Sequence, residues 1–517
     1  MKKSAIIKGT LILTAAGLLT RVIGFIYRIY LSNALGAEQL GIYQLIFPVY
    51  GICHTLYASG IQTAISKLVA EKGSSGQGKH AARNILLCGA FLSFCLAVCC
   101  SFLLYFNADT VAILFLKEPA CASSLRILSF AFPFCGITSC INGYSYGRSK
   151  SSLPAFTQVV EQLVRVGTVF FAATLSTDIA VSCELAIYGV LAGELASNII
   201  SILSILISER NDKTFYRTSF PHSLHMSRSH ALSSGFFGRT FCMLLHLAAP
   251  LTLNRLLLSL LHSFEAIMIP TLLRKNGMHS SAALSRYGIL NGMALPFVYF
   301  ASAITNALAV LLLPAISEQD ASHNQQQIAV TTERSVSITL LLGIFCNFLF
   351  LFFGVPLGNA IFHNPEAGIY IRILSCLCPF LYLTTTLSSI LNGLGKTITT
   401  FVTSLTGSVL RIALLCLLIP RYGMSGCFIA LLLSQLVLCA SELVLVHFHT
   451  DFKLDLTRIL LLPALAAGMS AFLCHRAYLL FSNSLAEDSV PLLFTACSVY
   501  ALLYLLLPVR ILFLKRS

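Results

Sequence analysis

The chain has 517 residues, of which 56% are hydrophobic and only 10% are charged, and its mean hydropathy is +0.83. This composition is too apolar for a soluble globular domain. The formal net charge of +14 comes from Lys and Arg dispersed at the ends of apolar runs, without a nucleic-acid-binding motif. The sequence therefore predicts a membrane protein that binds membrane lipids and no nucleic acid.

Fourteen apolar stretches, each near the ~20 residues that cross ~30 Å of hydrocarbon, predict membrane-spanning helices. The chain is thus expected to be an all-α polytopic membrane protein. In chain order the stretches cover approximately residues 6–31, 41–66, 82–106, 125–146, 154–176, 184–208, 240–264, 288–313, 335–357, 370–393, 399–420, 424–447, 458–480 and 490–512.

The Lys and Arg residues between these stretches are more numerous on the side of the membrane where the chain begins. Lys2, Lys3, Lys67, Lys72 and Arg148 all belong to this more cationic side. Because cytoplasmic loops carry the excess of Lys and Arg, both termini are predicted to lie in the cytoplasm, with the chain in the plasma membrane.

An internal repeat organises the helices. A shift of 246 positions aligns Arg126-Ile-Leu-Ser with Arg372-Ile-Leu-Ser and also Arg165 with Arg411. Because the shift spans six predicted helices, both copies cross the membrane in the same direction, which predicts two pseudo-symmetric six-helix lobes. The predicted divisions are an N-lobe at 1–208, a basic cytoplasmic linker at 209–239, a C-lobe at 240–449, and two additional C-terminal helices at 450–517.

The first predicted helix carries two arginines within hydrocarbon, where a guanidinium costs at least ~3 kcal/mol unless it meets a polar partner or water. Gly17, Arg21, Gly24 and Arg28 are spaced by four, three and four residues, so they share one helix face. This face is small and cationic, and it predicts the wall of a cavity that receives an anionic substrate.

The repeat places Arg165 and Arg411 about 11 residues into their helices, or ~16 Å from the helix start. Glu161 precedes Arg165 by one turn and is expected to form an ion pair with it, whereas Gly407 takes the matching place before Arg411. Two interpretations remain open for both arginines, namely contact with substrate and structural bonds to neighbouring helices.

In the seventh predicted helix, Thr252, Arg255, Ser259 and His262 form a second polar face, and Arg255 is a further candidate for substrate binding. Glu265 near the end of this helix is a gating or coupling candidate, although a carboxylate at the membrane interface is the simpler interpretation.

Glu161, Glu194 and Glu442 complete the candidates for ion coupling or gating, with ion pairs to neighbouring helices as the alternative. The cysteines and histidines are scattered, so neither a metal nor another cofactor is expected, although H⁺, Na⁺ or the membrane potential is a possible energy source. No nucleotide-binding loop or catalytic motif was found, and the chain is therefore predicted not to be an enzyme.

Four segments resemble the polysaccharide-transporter branch of the multidrug/oligosaccharidyl-lipid/polysaccharide (MOP) flippase superfamily. They are Lys8-Gly-Thr-Leu-Ile-Leu-Thr-Ala-Ala-Gly, Thr20-Arg-Val-Ile-Gly-Phe, Ala64-Ile-Ser-Lys-Leu-Val-Ala-Glu and Leu391-Asn-Gly-Leu-Gly-Lys. The resemblance implies a V-shaped bundle that flips a lipid-linked sugar diphosphate by alternating access, as related lipid II flippases do. Arg21 matches a cavity arginine of those relatives, whereas Arg28 lies one position from the next, where Tyr27 is aligned.

The predicted function is therefore translocation of an undecaprenyl-diphosphate-linked oligosaccharide or peptidoglycan precursor, such as lipid II, to the outer leaflet for cell-wall or spore-cortex synthesis. Guanidinium groups of Arg21, Arg28, Arg255 and Arg411 suit phosphate oxygens. Two alternatives remain, an ion-coupled multidrug exporter of the same superfamily and a membrane scaffold for wall synthesis that transports nothing. The oligomeric state is left open.

Overall fold

A computed structural model describes the backbone of residues 2–72, 78–175, 181–219, 234–452, 455, 457–485 and 490–513. Every regular element in these ranges is helical. Nine of the described helices are long and apolar enough to cross a membrane, or ten if one bent pair counts as a span. Helices follow from the apolar runs because hydrocarbon offers no hydrogen-bond partner to the backbone.

Two of these helices have enough residues to cross the bilayer twice, and each is broken at a glycine with positive φ. The breaks lie at Gly36, with φ 74°, and Gly423, with φ 57°. Glycine adopts this backbone conformation at little cost, so each break is a turn between two spans. With the bent pair, the charged helix Ser152–Leu175 and the C-terminal helix, all fourteen predicted stretches are helical.

Contacts divide the chain into two compact units. Unit 1 contains residues 1–27 and 42–267, and unit 2 contains residues 28–41 and 268–517. These units differ from the predicted lobes, since the helix that starts at Ser234 belongs to unit 1 as far as Ile267. The predicted linker at 209–239 also overlaps helix at both ends, and its residues 220–233 lie outside the described part. The lobe boundaries themselves stay a prediction.

Unit 1 is built from nine helices or parts of helices. They are α1 (Lys2–His54, except residues 28–41), α2 (Gly60–Lys72), α3 (Gly78–Phe106), α4 (Ala108–Thr110), α5 (Cys121–Ser129), α6 (Phe132–Gly147), α7 (Ser152–Leu175), α8 (Cys183–Ser219) and α9 (Ser234–Lys275, as far as Ile267). A π-helical turn, Thr55–Ser59, joins α1 to α2, and a second one, Val111–Leu116, follows α4. Buried apolar side chains of α2, α3, α6 and α9, such as Ile65, Ile85, Ile141 and Leu244, form its core.

Unit 2 contains the remaining helices. They are α10 (Ser280–Gly288), α11 (Leu295–Ala321), α12 (Gln325–Phe362), α13 (Pro365–Leu374), α14 (Cys378–Gly393), α15 (Thr397–Thr450), α16 (Leu462–Leu485) and α17 (Val490–Phe513). The two additional C-terminal helices pack on α12. Tyr500 and Tyr504 of α17 donate hydrogen bonds to the carbonyls of Phe345 and Leu341 at 3.1 and 3.0 Å, and Phe472 of α16 has its ring centroid 6.3 Å from that of Phe352.

The repeat is visible in the helix bounds. Helix α6 covers Phe132–Gly147 and α14 covers Cys378–Gly393, so both ends differ by the same 246 positions that the sequence predicted. Arg165 and Arg411 then lie at equivalent places in α7 and in the first half of α15. The two units therefore contain equivalent helices whose polar residues can be compared one by one.

Candidate functional site

Arg21 presents an exposed guanidinium from the apolar helix α1 in unit 1. It forms no hydrogen bond or ion pair with any residue that the structure describes. One turn further, Gly24 faces the side-chain amide of Gln162 on α7. Arg28 is half-buried and belongs to unit 2, so the predicted pair of arginines is divided between the two compact units.

Arg255 on α9 is bound to the π-helical turn before α2. Its Nη1 donates hydrogen bonds to the carbonyl oxygen of Ser59 at 2.8 Å and to Ser59 Oγ at 2.6 Å. A Cβ at Gly60 would overlap the hydroxyl of Thr252, so α2 and α9 cross closely at this place. π-Helical turns are frequent at functional sites. Arg255 is exposed while its guanidinium is held in a fixed position, and sequence reasoning did not foresee its bond to Ser59.

Glu161 and Arg165 form the expected ion pair within α7. Arg165 Nη2 lies 2.6 Å from Glu161 Oε1. The Glu161 side chain is 24% exposed and the Arg165 side chain is 19% exposed. Helix α8 packs closely beside them, because a Cβ at Gly193 would lie 2.7 Å from the carbonyl oxygen of Glu161 and one at Gly189 would lie 2.9 Å from that of Arg165. Small residues allow such close helix packing in membranes. The pair is therefore enclosed by neighbouring helices.

A cavity of about 300 Å³ lies among α1, α2, α6, α7 and α8, entirely within unit 1. Most of its lining side chains are polar, which is unusual among apolar membrane helices. Prominent in the lining are Tyr50, Gln62, Asn142, Tyr146, Gln158, Glu161 and Glu194. The structure thus brings together two predicted acidic residues, Glu161 and Glu194, in one polar cavity.

Glu194 lies at a buried part of this cavity and is 5% exposed. Its Oε1 accepts a hydrogen bond of 3.1 Å from the Tyr50 hydroxyl. One turn along α8, Asn198 donates to the Phe134 carbonyl at 2.9 Å and to Thr138 Oγ1 at 3.2 Å, which fixes α8 to α6. Both Tyr50 and Asn198 were missed as functional candidates.

A sequence signal for the cavity does exist. Thr138, Asn142 and Tyr146 follow one another at intervals of four residues on α6, and Gln158 precedes Glu161 by three on α7. These spacings place each set on one helix face. Charged residues alone did not reveal the cavity because most of its lining is neutral.

In unit 2, Arg411 belongs to a network of neutral polar groups. Its Nε donates to Ser434 Oγ at 3.0 Å and its Nη2 donates to Gln435 Oε1 at 3.2 Å. Gln435 Nε2 in turn donates to Thr384 Oγ1 at 3.1 Å. No carboxylate occupies the position of Glu161, because Gly407 takes that place in the repeat.

Glu442 is fully buried in unit 2. Its Oε1 accepts a hydrogen bond of 2.8 Å from Ser388, and its Oε2 has no hydrogen-bond partner among the described residues. Glu265 is half-buried and lies 3.9 Å from the Nδ1 of His262, one turn earlier on α9. The described residues contain no cluster of three His, Cys, Asp or Glu side chains that could hold a metal ion.

These features define a class of protein. The chain is a multi-pass helical membrane protein whose helices carry arginines and buried carboxyl groups within apolar spans. Over 98% of this chain and 99% of the other, the fold matches a structure of the lipid II flippase MurJ in an inward closed conformation, with a TM-score of 0.68 and 14% identity. The fold also matches an inward-facing structure of a multidrug resistance MATE family transporter of the MOP superfamily over 86% of this chain and 98% of the other, with a TM-score of 0.63 and 15% identity. The fold is therefore the one that these two transporters share.

The chain belongs to the polysaccharide biosynthesis protein family, whose model matches residues 6–320. The MatE family model also matches residues 250–417. Stage V sporulation protein B of Bacillus subtilis is 28% identical over 84% of this chain and 82% of its own length. The lipid II flippase MurJ of Bacillus subtilis is 22% identical over 90% of this chain and 87% of its own length. The predicted membership of the MOP superfamily is confirmed.

Proposed function

We propose that this protein moves a lipid-linked glycan diphosphate, such as lipid II, from the inner to the outer leaflet by alternating access. One observation carries the proposal. Arg21 is an exposed guanidinium within an apolar helix and has no partner among the described residues. A guanidinium at this depth requires water or an anion, and two phosphate oxygens match its planar donors.

Arg255 supports the same assignment. Its guanidinium is exposed and is already held by Ser59 through two hydrogen bonds, so little conformational entropy is lost when an anion binds. Arg28 and Arg411 are further proposed substrate-binding arginines, and Arg165 completes the set although it is also bound to Glu161. The lipid tail would remain in the bilayer, so only the polar headgroup needs a path through the protein.

The energy source is proposed to act through buried carboxyl groups. Glu442 is the strongest of the four coupling or gating candidates, because one of its oxygens lacks a partner among the described residues while the whole side chain is buried. Glu161, Glu194 and Glu265 are the others. Carboxyl groups within a membrane mark ion and proton pathways. We propose H⁺, Na⁺ or the membrane potential as the driving force, and no resident cofactor.

The proposed location is the plasma membrane with both termini in the cytoplasm, in agreement with the distribution of loop cations. A role in cell-wall or spore-cortex synthesis is supported by the match to stage V sporulation protein B.

The test is translocation of fluorescent lipid II in liposomes that contain the purified protein. We expect the native protein to expose the headgroup on the opposite leaflet, and Arg21→Ala to slow this by ~10- to 100-fold, as the loss of a hydrogen bond to a charged group implies. Arg126→Ala is the matched control, because Arg126 is an exposed arginine already paired with Asp109. Equal rates for native protein and Arg21→Ala would refute the role of Arg21.

A multidrug exporter is the second candidate, because the MatE model matches residues 250–417 and the cavity of unit 1 contains two carboxyl groups. The same liposomes distinguish the two functions. Efflux of a cationic dye without movement of lipid II would support the exporter, and transport of neither by a folded protein would support a scaffold.

A further inference from the structure

We infer that the cavity of unit 1 binds a sugar ring of the transported headgroup, an inference that rests on the proposed function. None of the candidate arginines is among the residues that line this cavity. It would therefore recognise a part of the substrate other than the diphosphate.

Four neutral side chains from three segments line this cavity without an internal partner. Gln62 lies on α2, Asn142 and Tyr146 lie on α6, and Gln158 lies on α7. Their side chains form no hydrogen bond with any residue that the structure describes. Buried polar groups are usually satisfied, and Asn142 Oδ1 is buried without a partner among the described residues, so it indicates a ligand or water in the cavity that the other three side chains can also bind.

The chemistry of these groups matches a polyhydroxylated ligand. A carboxamide offers both a donor and an acceptor, and so does a phenol. Each sugar hydroxyl can likewise donate one hydrogen bond and accept others. An apolar drug would leave these polar groups unsatisfied, at a cost of ~1–3 kcal/mol each. The lining therefore favours a hydroxyl-rich ligand over an apolar one.

Charge argues against a phosphate in the same cavity. Glu161 is neutralised by Arg165, and Glu194 accepts a hydrogen bond from Tyr50. Both carboxyl groups face the cavity, whereas the Arg165 side chain is not part of its lining. An anionic group in the cavity would face these two carboxyl groups and no Lys or Arg of the lining, so the lining disfavours a phosphate.

The volume of the cavity is also large enough for a sugar ring. About 300 Å³ holds roughly ten water molecules at ~30 Å³ each, which is far more space than a directly coordinated cation needs. The rings of Tyr50 and His54 lie 5.8 Å apart at one wall and offer apolar faces to the C–H groups of a sugar. Gln158 is exposed, so a ligand can reach the cavity.

The experiment compares two lipids in the same liposomes, lipid II and undecaprenyl diphosphate without a sugar. Gln158→Leu and Asn142→Leu keep the approximate size of each side chain and remove its hydrogen bonds. We expect each to slow lipid II by about 5- to 30-fold relative to the bare diphosphate lipid, as the loss of one or two hydrogen bonds implies. The translocation rate of undecaprenyl diphosphate shows whether each variant is folded and active.

Gln162→Leu is the matched control. Gln162 lies one turn from Gln158 on α7, faces Gly24 of α1 and does not line the cavity. We expect this variant to keep the native ratio of the translocation rates of the two lipids. If the native protein moves only lipid II, the ratio of dissociation constants for the two lipids, measured on purified protein, replaces the ratio of rates.

Two negative outcomes are distinguishable. A native protein that moves neither lipid contradicts the proposed function. If the native protein moves lipid II but the ratio of rates or dissociation constants for the two lipids is unchanged in both cavity variants, only the sugar site is overturned. The latter result would assign the cavity to water or to a coupling cation.

Discussion

The ion pair between Glu161 and Arg165 offers a test of how unit 1 tolerates charge inside the membrane. The N–O distance is 2.6 Å and both side chains are less than one-quarter exposed. Removing one partner of such a buried pair leaves an uncompensated charge, which typically costs 3–5 kcal/mol. Because both side chains retain some exposure, we expect Arg165→Met to lower the free energy of unfolding by ~3 kcal/mol, the lower end of this range. The close α8 helix restricts any movement that would relieve this cost.

Glu161→Gln should also destabilise the protein, because it leaves the Arg165 guanidinium without its carboxylate. The Nε of this guanidinium already lacks a hydrogen-bond partner among the described residues. The double variant with Glu161→Gln and Arg165→Met contains neither charge. We therefore expect it to be more stable than either single variant, with a coupling free energy of ~2 kcal/mol or more.

The assay is thermal unfolding of the purified protein in detergent at one fixed heating rate. The apparent Tm should fall for both single variants and recover in the double variant. A fixed heating rate is necessary because membrane proteins of this size can unfold irreversibly. Additive losses in the double variant would show that the two charges are stabilised independently, and this would refute the argument from buried charge.

Two further predictions concern packing and coupling. Gly193→Ala should lower the apparent Tm, since its Cβ would lie 2.7 Å from a carbonyl oxygen of α7 and such overpacking costs ~1–3 kcal/mol. Gly167→Ala, whose Cβ meets only one atom at 3.9 Å, should leave the apparent Tm equal or raise it, and a fall of equal size would contradict the packing argument. Glu442→Gln should make lipid II translocation insensitive to an imposed H⁺ or Na⁺ gradient. Glu366→Gln, at a half-buried residue 3.7 Å from Arg286, should preserve that sensitivity. A gradient response retained by Glu442→Gln would exclude Glu442 as the coupling group.

Local patterns in the sequence were sufficient for the helices and for the bond within α7. The lengths of the apolar runs predicted the long helices of the described residues, and the repeat predicted equivalent helices whose ends differ by 246 positions. The Glu161–Arg165 pair was predictable because its partners are four residues apart on one helix. Such features depend on helix geometry alone.

Contacts between distant segments were not predictable in the same way. Arg255 is 196 residues from Ser59, and Glu194 is 144 residues from Tyr50. These bonds depend on which helices pack together and at what height, which periodicity does not specify. The same reason explains why the helix from Ser234 to Ile267 belongs to unit 1 although it follows the predicted linker.

The repeated helices differ most in charge, and the difference suggests how the two units divide the proposed task. In unit 1, Arg165 is paired with Glu161, so the polar groups that remain available around the cavity are largely neutral. In unit 2, Gly407 takes the place of that carboxylate, and Arg411 donates hydrogen bonds to Ser434 and Gln435. A cavity lined mainly by neutral polar groups suits a sugar, and a guanidinium suits phosphate oxygens. Under the proposed function, we expect this difference, glutamate in one copy and glycine in the other, to let the two equivalent helices contact different parts of the same substrate.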